Sequence, residues 1–463
     1  MKSIKMRSIC AAVTASLMLG FGANAMADST TDIVNALVAK GVLTEEEGAL
    51  LTKGRDGEIA GQAKAMKKAT KLKVSDAIDS AELYGDIRVR HESRWAENKA
   101  QGSAAPIDLT RNRERYKITL GVKTEAGDWY SDLAFAMGAE GRSDNATFGG
   151  AKGADGVANV NGQNKKEALL VKRAMVGFKA TDWLTLEAGR IANPLYTTEM
   201  VWDKDLTLDG AVAKLNFKYN DTKIFVTGLA AQYLGDSKVY SAGADSFTNE
   251  LVVGQAGFET PINEQLKGKA ALTFYKYGNV GGNFIPGAGT ASNSTGTNVI
   301  GTNNLEILEI PGELSYKYND KIGVKLYGDY VVNLDADKRA RLAGDTTSAK
   351  NDDNAWLLGL EVKSQAGKKE AKGDWSAKAW YQETGLYALD PNAVDSDFFD
   401  SKINVQGAVF KAQYAVADTT FVNFAYGHGS RKNDAKAATG VSGDTGYNFN
   451  NFDLLQLDLT YKF

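Results

Sequence analysis

Cysteine and histidine are almost absent from this sequence. Its 463 residues include one cysteine, Cys10, and two histidines, His91 and His428. Disulfide frameworks and iron–sulfur clusters need several cysteines, and zinc sites need several Cys or His ligands. The composition therefore excludes all three, and we expect neither a metal nor a cofactor.

Positive charge is not in excess either. There are 54 Lys and Arg against 57 Asp and Glu, which gives a formal net charge of −3 at pH 7. Proteins whose main partner is nucleic acid carry a basic surplus, because Lys and Arg neutralise the phosphates. We therefore expect no nucleic-acid partner. The G-x-S-x-G, H-E-x-x-H and Walker A motifs are also missing, so we expect no catalytic residue.

Long apolar runs are missing except near the N-terminus. There, three basic residues precede an apolar stretch from Ala11 to Phe21, and Ala25-Met26-Ala27 follows. This pattern is typical of a secretory signal peptide, residues 1–27, cleaved after Ala27. The alternative is a retained anchor, but the strongly apolar part is shorter than the ~20 residues of a spanning helix. With no other such run, the mature chain is either a soluble exported protein or a β-barrel.

Residues 28–81 differ in composition from the rest of the chain. They are rich in Ala, Lys and Glu, and Ile33 and Leu37 lie at helical spacing. Thr44 followed by Glu47 forms a capping box. We expect a periplasmic helical segment, a hairpin followed by a stalk, without a catalytic role.

From residue 82 to residue 463 apolar and polar residues alternate. Tyr116, Ile118, Leu120 and Val122, for example, are separated by polar or small residues. This spacing places alternate side chains on opposite faces of a β-strand. Sixteen such segments lie near residues 82–95, 113–125, 128–140, 167–180, 182–192, 209–219, 222–234, 250–260, 267–279, 305–318, 321–334, 354–364, 372–386, 402–414, 419–428 and 452–463.

The connections between these segments alternate in length with few exceptions. Eight long polar loops and seven shorter turns are what a sixteen-stranded membrane barrel needs, with the loops outside and the turns in the periplasm. The sequence therefore predicts an all-β fold, a transmembrane antiparallel β-barrel of about sixteen strands over residues 82–463. A soluble β-sandwich or β-helix is the alternative, but neither explains the alternation of long and short connections.

Aromatic residues fall near the predicted strand ends, where their amphipathic rings suit the lipid headgroup level. They are Trp95, Trp129, Tyr130, Trp183, Tyr219, Tyr233, Tyr277, Tyr318, Trp375, Tyr381 and Tyr461. The final residues, from Leu459 to Phe463, resemble the C-terminal signal of outer-membrane barrels. That resemblance implies that the barrel-assembly machinery reads Tyr461 and Phe463.

Several motifs follow one another in a fixed order after the helical segment. They are Leu83-Tyr84-Gly85-Asp86-Ile87-Arg88-Val89-Arg90, Gly189-Arg190-Ile191-Ala192-Asn193-Pro194-Leu195, Trp202-Asp203-Lys204-Asp205-Leu206, Gly210 and the C-terminal Phe463. In this order they make the chain resemble the putative porin family of Gram-negative bacteria over essentially all of its mature length. The Pro-Glu-Phe-Gly motif of the general porins is absent from the third long loop, so their eyelet geometry is not implied.

The resemblance implies a function and a location. A porin is a water-filled channel of the outer membrane for the passive diffusion of small hydrophilic solutes or ions, and the resemblance names no solute. It also implies contact with outer-membrane lipid and lipopolysaccharide, and a homotrimer. One alternative is a structural or adhesion barrel whose helical stalk contacts the cell wall or a partner. Another is a hydrolase at the barrel rim, for which His428 is the only plausible base.

Basic residues share one face of the first two predicted strands. Parity places Arg88 and Arg90 together on the first strand, and Arg113, Arg115 and Lys117 together on the second. That face must line the lumen, because an Arg or Lys that faces lipid near the midplane costs ~2–4 kcal/mol. We interpret these residues as a cationic strip that orients permeating solutes. The alternative is a set of salt bridges with acidic residues of the wall.

The third long loop, predicted at 193–208, carries Glu199, Asp203 and Asp205. In porins of this size the third loop often folds into the lumen. The resemblance therefore implies that these carboxylates face the arginines across a constriction and create a transverse field. The alternative is a solvated surface loop.

Two further features concern local structure. The long loop at 387–401 is predicted to lie outside the barrel, and its acids Asp390, Asp395, Asp397 and Asp400 lack the EF-hand pattern of a calcium site. Lys172 interrupts the apolar register of its strand, which a β-bulge would explain.

Overall fold

The computed structural model describes residue 44 and residues 76–463, except for 99–106, 139–142, 150–167, 234–237, 240–246, 249, 280–282, 285, 287–290, 293–297, 346–351, 365–369, 437–438 and 441–448. The chain divides into two compact units, residues 1–73 and 74–463. The predicted signal peptide lies outside the described residues, as does the predicted helical segment up to residue 75 apart from residue 44. The first strand begins at Ser80, two residues before the predicted boundary.

Sixteen long strands, β1 to β16, form the described sheet of the second unit. In chain order they are Ser80–Asn98, Ile107–Ala126, Trp129–Gly138, Ala168–Lys179, Leu184–Ala192, Thr207–Tyr219, Thr222–Gln232, Glu250–Pro261, Leu266–Tyr277, Glu306–Lys317, Ile322–Asn333, Asn354–Ser364, Trp375–Thr384, Val405–Ala417, Thr420–Arg431 and Asn451–Lys462. Each strand pairs antiparallel with the next, and β16 pairs with β1. The sheet closes on itself, which removes its edges and confirms the predicted antiparallel barrel.

Short elements lie in the connections. Helix α1 spans Ala336–Leu342 between β11 and β12, and a 3₁₀ turn spans Phe398–Ser401 between β13 and β14. The two-residue strands are Ala146–Thr147 beside β2, Lys238–Val239 with Phe247–Thr248, Ala291–Ser292 with Asn298–Val299, and Lys402–Ile403 with Thr439–Gly440. Among the described residues, no helix has the length and apolar character needed to cross a membrane.

The short turns lie at one end of the barrel and the long loops at the other, because successive strands run in opposite directions. Gly127, after β2, has φ 58°, and Asn220, after β6, has φ 52°. Two-residue hairpin turns need positive φ, which glycine and asparagine adopt at low cost. Both turns lie where consecutive predicted segments, 113–125 and 128–140 and then 209–219 and 222–234, are separated by only two residues.

Side chains alternate between the two faces of each strand. In β1, Arg90 and Glu92 are 4% and 0% exposed, whereas Leu83 and Ile87 on the other face are 62% and 44% exposed. Exposed apolar side chains such as Leu360 recur on the outer face of other strands. The outside of the barrel is therefore an apolar surface suited to hydrocarbon, and the inside is polar.

The pairing of β3 with β4 contains the bulge that the sequence predicts. Ala134 lies opposite Arg173, but the next residue, Phe135, lies opposite Val171, so Lys172 is the extra residue. An extra residue changes the parity of the side chains that follow it. As a result Lys172 and Arg173 both line the interior.

Candidate functional site

The third loop, residues 193–206 between β5 and β6, crosses the interior of the barrel. The hydroxyl of Thr198 donates a hydrogen bond to Asp329 of β11 at 2.6 Å, and Glu199 forms an ion pair with Lys378 of β13. Both strands lie far around the sheet from β5, so the loop reaches them only through the inside of the barrel. The described part of the chain thus places this predicted loop within the lumen.

Aromatic packing holds the third loop to the wall. Trp202 is 4% exposed, and its ring lies 6.4 Å from that of Tyr233 at the end of β7, which in turn lies 5.4 Å from the ring of Tyr277. The sequence predicted Tyr233 and Tyr277 at the lipid headgroups, and that prediction is wrong. Both rings point inward, because the inward loop offers them an apolar partner.

The seventh loop, residues 385–404 between β13 and β14, also folds inward. Its Asp397 lies 3.1 Å from Nη1 of Arg90, and its Asp400 accepts a hydrogen bond from Nη1 of Arg94 at 2.9 Å. The prediction of an outer loop at this position is therefore wrong. The buried arginines of β1 need carboxylates, since an unpaired buried charge is strongly destabilising.

The two inward loops are joined to each other. The backbone N–H of Asp203 donates to the carbonyl of Ala393 at 2.7 Å. The backbone N–H of Ser396 donates to Oδ2 of Asp203 at 3.0 Å. Asp203, predicted to face the arginines, thus serves to connect the third and seventh loops into one partition across the lumen.

Basic side chains oppose one another across the pairing of β1 with β2. Arg88 lies opposite Lys117, and Arg90 lies opposite Arg115. Like charges directly opposite one another destabilise a sheet. The barrel interior therefore has to supply carboxylates between them.

Glu92 supplies one such carboxylate. It is fully buried and accepts hydrogen bonds from Nε of Arg94 at 2.9 Å, from Nε of Arg113 at 2.6 Å and from Nη1 of Arg115 at 3.4 Å. Arg94 also pairs with Asp400 at 2.9 Å, so Glu92 and the seventh loop both supply carboxylates to these guanidinium groups. The arginines are thus paired within the wall.

Arg88 has one distant carboxylate partner. Its Nη1 lies 3.7 Å from Asp458 of β16, and its Nη2 donates to Asn145. Its Nε is buried and has no hydrogen-bond partner among the described residues. A buried donor without a partner costs free energy, and Nε of Arg115 is in the same state.

Glu199 faces lysines rather than arginines. Burial alone would raise the pKa of its carboxyl, but Lys378 and Lys411, on the neighbouring strands β13 and β14, lower that pKa to about 2. The carboxylate is therefore ionised at neutral pH, and the ion pair with Lys378 fixes one end of the third loop.

Asp205 fixes the other end of the third loop. Its Oδ1 lies 3.7 Å from Nζ of Lys117 on β2 and 3.8 Å from Nζ of Lys172 on β4. Burial raises the pKa of Asp205, while Lys117 and Lys172 lower it, and the net shift is downward. The loop is therefore held at both ends by ion pairs to opposite sides of the barrel.

The sequence patterns do not single out two residues that contact the third loop, Lys378 and Lys411. Each lies on the polar face of an alternating strand, Lys378 between Ala377 and Ala379, and Lys411 beside Phe410. This parity predicts that both side chains face the lumen, but no neighbouring sequence motif distinguishes these lysines from other polar residues of the wall. Their importance comes from the third loop, which lies next to them in space and 172 or more residues away in sequence.

A cavity of about 400 Å³ lies in the lumen next to the inward loops. Among the described residues, six cationic side chains line it against three acidic ones. The cations are Arg88, Arg90, Lys204, Lys378, Lys411 and Lys462, and the acids are Glu361, Asp397 and Asp458. A neighbouring cavity of about 470 Å³, toward the turn end, adds Lys117, Lys172 and Arg173 to this basic surface.

The sequence profile of the family described as "Putative porin" matches residues 107–299 and 287–463. The chain belongs to the putative porin family. Together with the closed barrel, this membership makes the protein an outer-membrane channel. The predicted family and the predicted porin function are both confirmed.

Solved structures similar to the porin are of low sequence identity. OprB of Pseudomonas putida, in a high-pH structure, is 12% identical, with 83% of this chain and 94% of that chain covered and a TM-score of 0.48. The outer membrane channel DcaP of Acinetobacter baumannii is 13% identical, with 83% and 97% covered and a TM-score of 0.41. The outer membrane protein OmpT of Vibrio cholerae, folded in vitro, is 12% identical, with 85% and 99% covered and a TM-score of 0.40. No curated protein matches the porin.

The C-terminal residues of the porin lie at the seam between β16 and β1. The backbone N–H of Gly85 donates to the carbonyl of Phe463 at 3.0 Å, and the N–H of Phe463 donates to the carbonyl of Gly85 at 3.1 Å. The rings of Tyr461 and Phe463 lie 6.3 Å apart, and both side chains are exposed. A Cβ at position 85 would lie 2.7 Å from the Phe463 ring, so glycine makes room for it.

Proposed function

We propose that the porin conducts small hydrophilic solutes across the outer membrane of a Gram-negative bacterium with a preference for anions. The observation that supports this preference most directly is the cavity of about 400 Å³, where six cationic side chains face three acidic ones. A solute that passes the inward loops meets this surface.

Local charge outweighs total charge in such a passage. The whole chain has a net charge of −3, but these charges are spread over a large surface in salt solution and are screened beyond a Debye length of about 8–10 Å. Charges within a narrow, partly low-dielectric lumen act on the permeating ion at contact distance. The local excess of cations therefore determines selectivity.

The predicted site residues have different roles in this proposal. Arg88, Arg90, Arg113, Arg115 and Lys117 line the pore and provide its positive potential. Glu199 and Asp205 hold the third loop in the lumen through lysines, and Asp203 joins it to the seventh loop. Glu199, Asp203 and Asp205 thus set the width of the constriction. Glu92, Asp397 and Asp458 form ion pairs with the arginines and reduce their positive potential.

Two sequence signals direct export and assembly. Residues 1–27 direct export, residues 28–79 remain in the periplasm, and the barrel-assembly machinery reads Tyr461 and Phe463. The exposure of both side chains supports this reading. The apolar outer face contacts lipid and lipopolysaccharide, and the porin functions as a homotrimer.

The function is transport without catalysis. A hydrolase at the rim needs a base within reach of a nucleophile and substrate. His428 instead lies on the outer face of β15, with Nδ1 2.9 Å from Asp453, and His91 lies on the outer face of β1, with Nδ1 2.7 Å from Glu114.

The test is a planar-bilayer recording with the purified full-length protein. Under a tenfold gradient of potassium chloride, we expect stable channels whose zero-current potential has the sign of chloride preference. Absence of channels from correctly folded protein would refute the porin function. Channels with a cation-selective zero-current potential would refute the proposed anion preference alone.

A further inference from the structure

The first half of the third loop lies against an acidic part of the barrel wall. The hydroxyl of Thr197 donates a hydrogen bond to Glu309 of β10, and the hydroxyl of Thr198 donates to Oδ2 of Asp329 on β11 at 2.6 Å. Both acids are buried, with Glu309 0% and Asp329 5% exposed. The loop therefore covers these two carboxyl groups and is bonded to each of them.

Glu309 and Asp329 are also bonded to each other. Val331 is the register partner of Glu309, so Asp329 lies on the same face of the sheet, one diagonal position away. A hydrogen bond joins the two side chains. An ionised carboxylate only accepts hydrogen bonds, so a bond between two carboxyl groups requires a proton on one of them.

The surrounding donors indicate which of the two groups carries this proton. Glu309 accepts hydrogen bonds from three hydroxyl groups, those of Thr197, Thr273 and Tyr275. Asp329 accepts one at Oδ2, whereas its Oδ1 is buried and receives no hydrogen bond from the described residues. An oxygen without a donor is the one that can bear a proton and donate it. The contacts thus assign the proton to Asp329 and the negative charge to Glu309.

The neighbouring strands place neutral side chains beside the pair. Thr273 of β9 is the register partner of Glu309, and Leu357 of β12 is that of Asp329. Two adjacent buried carboxylates repel each other, and burial penalises both charges. A shared proton removes one of the two charges.

Two lysines on the inner faces of β9 and β11 meet other acids. Lys269 is the register partner of Glu313, and Lys325 forms an ion pair with Glu361 at 2.7 Å. Each lies four residues, or about 13 Å along its strand, nearer to the turns than the buried pair. These lysines therefore leave the proton as the group that joins the two acids.

We propose that Asp329 is a positioning residue for the constriction: it is protonated at neutral pH, donates its proton to Glu309, and so holds the first half of the third loop against the wall. This inference rests on the proposed function, because the position of the loop affects transport only if solutes pass it. The pair carries one negative charge instead of two, and the loop covers it. Neither acid lines the basic cavity.

Infrared difference spectroscopy tests the proton directly. A protonated carboxyl group has a carbonyl stretching band that is separate from the bands of a carboxylate. We subtract the spectrum of detergent-solubilised Asp329→Asn from that of the full-length wild type at pH 7.5, and we expect the protonated band to be lost in the variant. Asp209→Asn, the same substitution in an exposed pair with Arg190, is the matched control and should leave that band unchanged.

Single-channel recordings test the position of the loop. Asp329→Ala removes the acceptor of Thr198 and the donor to Glu309, so the fraction of time in a wider, higher-conductance state should rise about fivefold or more. Asp329→Asn should remain within about twofold of the wild type, because its amide donates to Glu309 and its carbonyl accepts from Thr198. Thr198→Val leaves the wall intact and should change the channel in the same direction as Asp329→Ala.

The outcomes separate this inference from the proposed function. Loss of a carboxylate band in Asp329→Asn, instead of the protonated band, would overturn the shared proton whether or not channels form. Wild-type behaviour of folded Asp329→Ala and Thr198→Val channels would overturn the positioning role. Failure of the folded wild type to form channels would count against the porin function and leave the infrared result standing.

Discussion

Arg90 of β1 and Asp458 of β16 form two parallel hydrogen bonds across the seam where the first and last strands meet. Nε of Arg90 donates to Oδ1 of Asp458 at 2.8 Å, and Nη2 donates to Oδ2 at 3.0 Å. The geometry is the bidentate arrangement that makes Arg–carboxylate pairs strong. Both side chains are at most 9% exposed, so this buried ion pair stabilises the pairing of the first strand with the last.

Removing one partner of the Arg90–Asp458 pair should destabilise the barrel. For Asp458→Asn we expect a loss of about 3–5 kcal/mol in the free energy of unfolding, the usual cost of leaving a buried charge without its partner. The measurement is the denaturant midpoint of the detergent-solubilised protein. Glu259→Gln, which breaks the exposed pair of Lys223 and Glu259 at 3.4 Å, should cost about 0–1 kcal/mol. Equal midpoints for the two variants would contradict the prediction.

Replacing the lumen arginines should shift ion selectivity toward cations. The variant carries Ala at Arg88, Arg90, Arg113 and Arg115. Glu92, Asp397 and Asp458 then remain in the lumen with fewer counter-charges, so the zero-current potential in a salt gradient should move in the cation-selective direction. Altered gel mobility of the unheated sample checks that the barrel is folded, and Arg88→Gln alone should give a smaller shift of the same sign. Wild-type selectivity in both folded variants would mean that the arginines only stabilise the wall.

Neutralising the ends of the third loop should widen the pore. Glu199→Gln combined with Asp205→Asn removes the ion pairs to Lys378, Lys117 and Lys172. The freed lysines should increase chloride preference, and the released loop should increase single-channel conductance and its fluctuations. Asp209→Asn, which breaks an exposed pair with Arg190, is the control. A double variant with wild-type conductance would show that the loop stays in place without these ion pairs.

Ion selectivity should depend on pH near neutrality through Asp395 of the seventh loop. Burial raises the pKa of Asp395 to about 7 against the opposing effect of Lys411, while Asp203 and Asp397 raise it further. The carboxyl is therefore neutral at pH 6 and ionised at pH 8, where it offsets Lys411. Chloride preference should fall as the pH rises from 6 to 8.

Asp395→Asn provides the comparison for the pH experiment. Its chloride preference should change less with pH over this range than that of the wild type, and should be close to that of the wild type at pH 6. The pKa values of Glu199, Asp205 and Asp397 are all lowered, so these acids stay ionised throughout. The same pH dependence in wild type and variant would assign the effect to another group.

Residues 28–75 should be dispensable for conduction. Because β1 begins at Ser80, a deletion that ends at residue 75 leaves every described strand intact. Channels of the deletion variant should have the wild-type conductance, and mass spectrometry of the exported full-length protein should show an N-terminus at Asp28. Failure of the deletion variant to assemble a barrel would show that this segment takes part in folding.

The wall of the barrel was predictable from the sequence, because it depends on local parity. In a strand with one face toward lipid and one toward water, apolar residues alternate with polar residues. The alternation of Arg88 and Arg90 with Ile87 and Val89 therefore sufficed to orient β1. Even the bulge at Lys172 was visible as a break in this pattern.

The ion pairs made by the loops inside the barrel were not predictable from local parity. Asp397 pairs with Arg90 across 307 residues of sequence, and no local pattern in the seventh loop indicates that partner. The positive φ of Phe399 and Asp400, 65° and 54°, likewise reflects a path set by distant contacts. The sequence predicted which acids were available, but only the packed loops show which cation each acid meets.

The pore exists only when β16 pairs with β1, because this pairing closes the sheet into a barrel. β16 ends at Lys462, and Phe463 bonds back to Gly85, so no water-filled hole exists until the final strand arrives. A chain without β16 would present an open sheet with unpaired edges, which tend to pair with other chains and aggregate. Such an incomplete copy would form no closed pore, because the wall closes only when β16 pairs with β1.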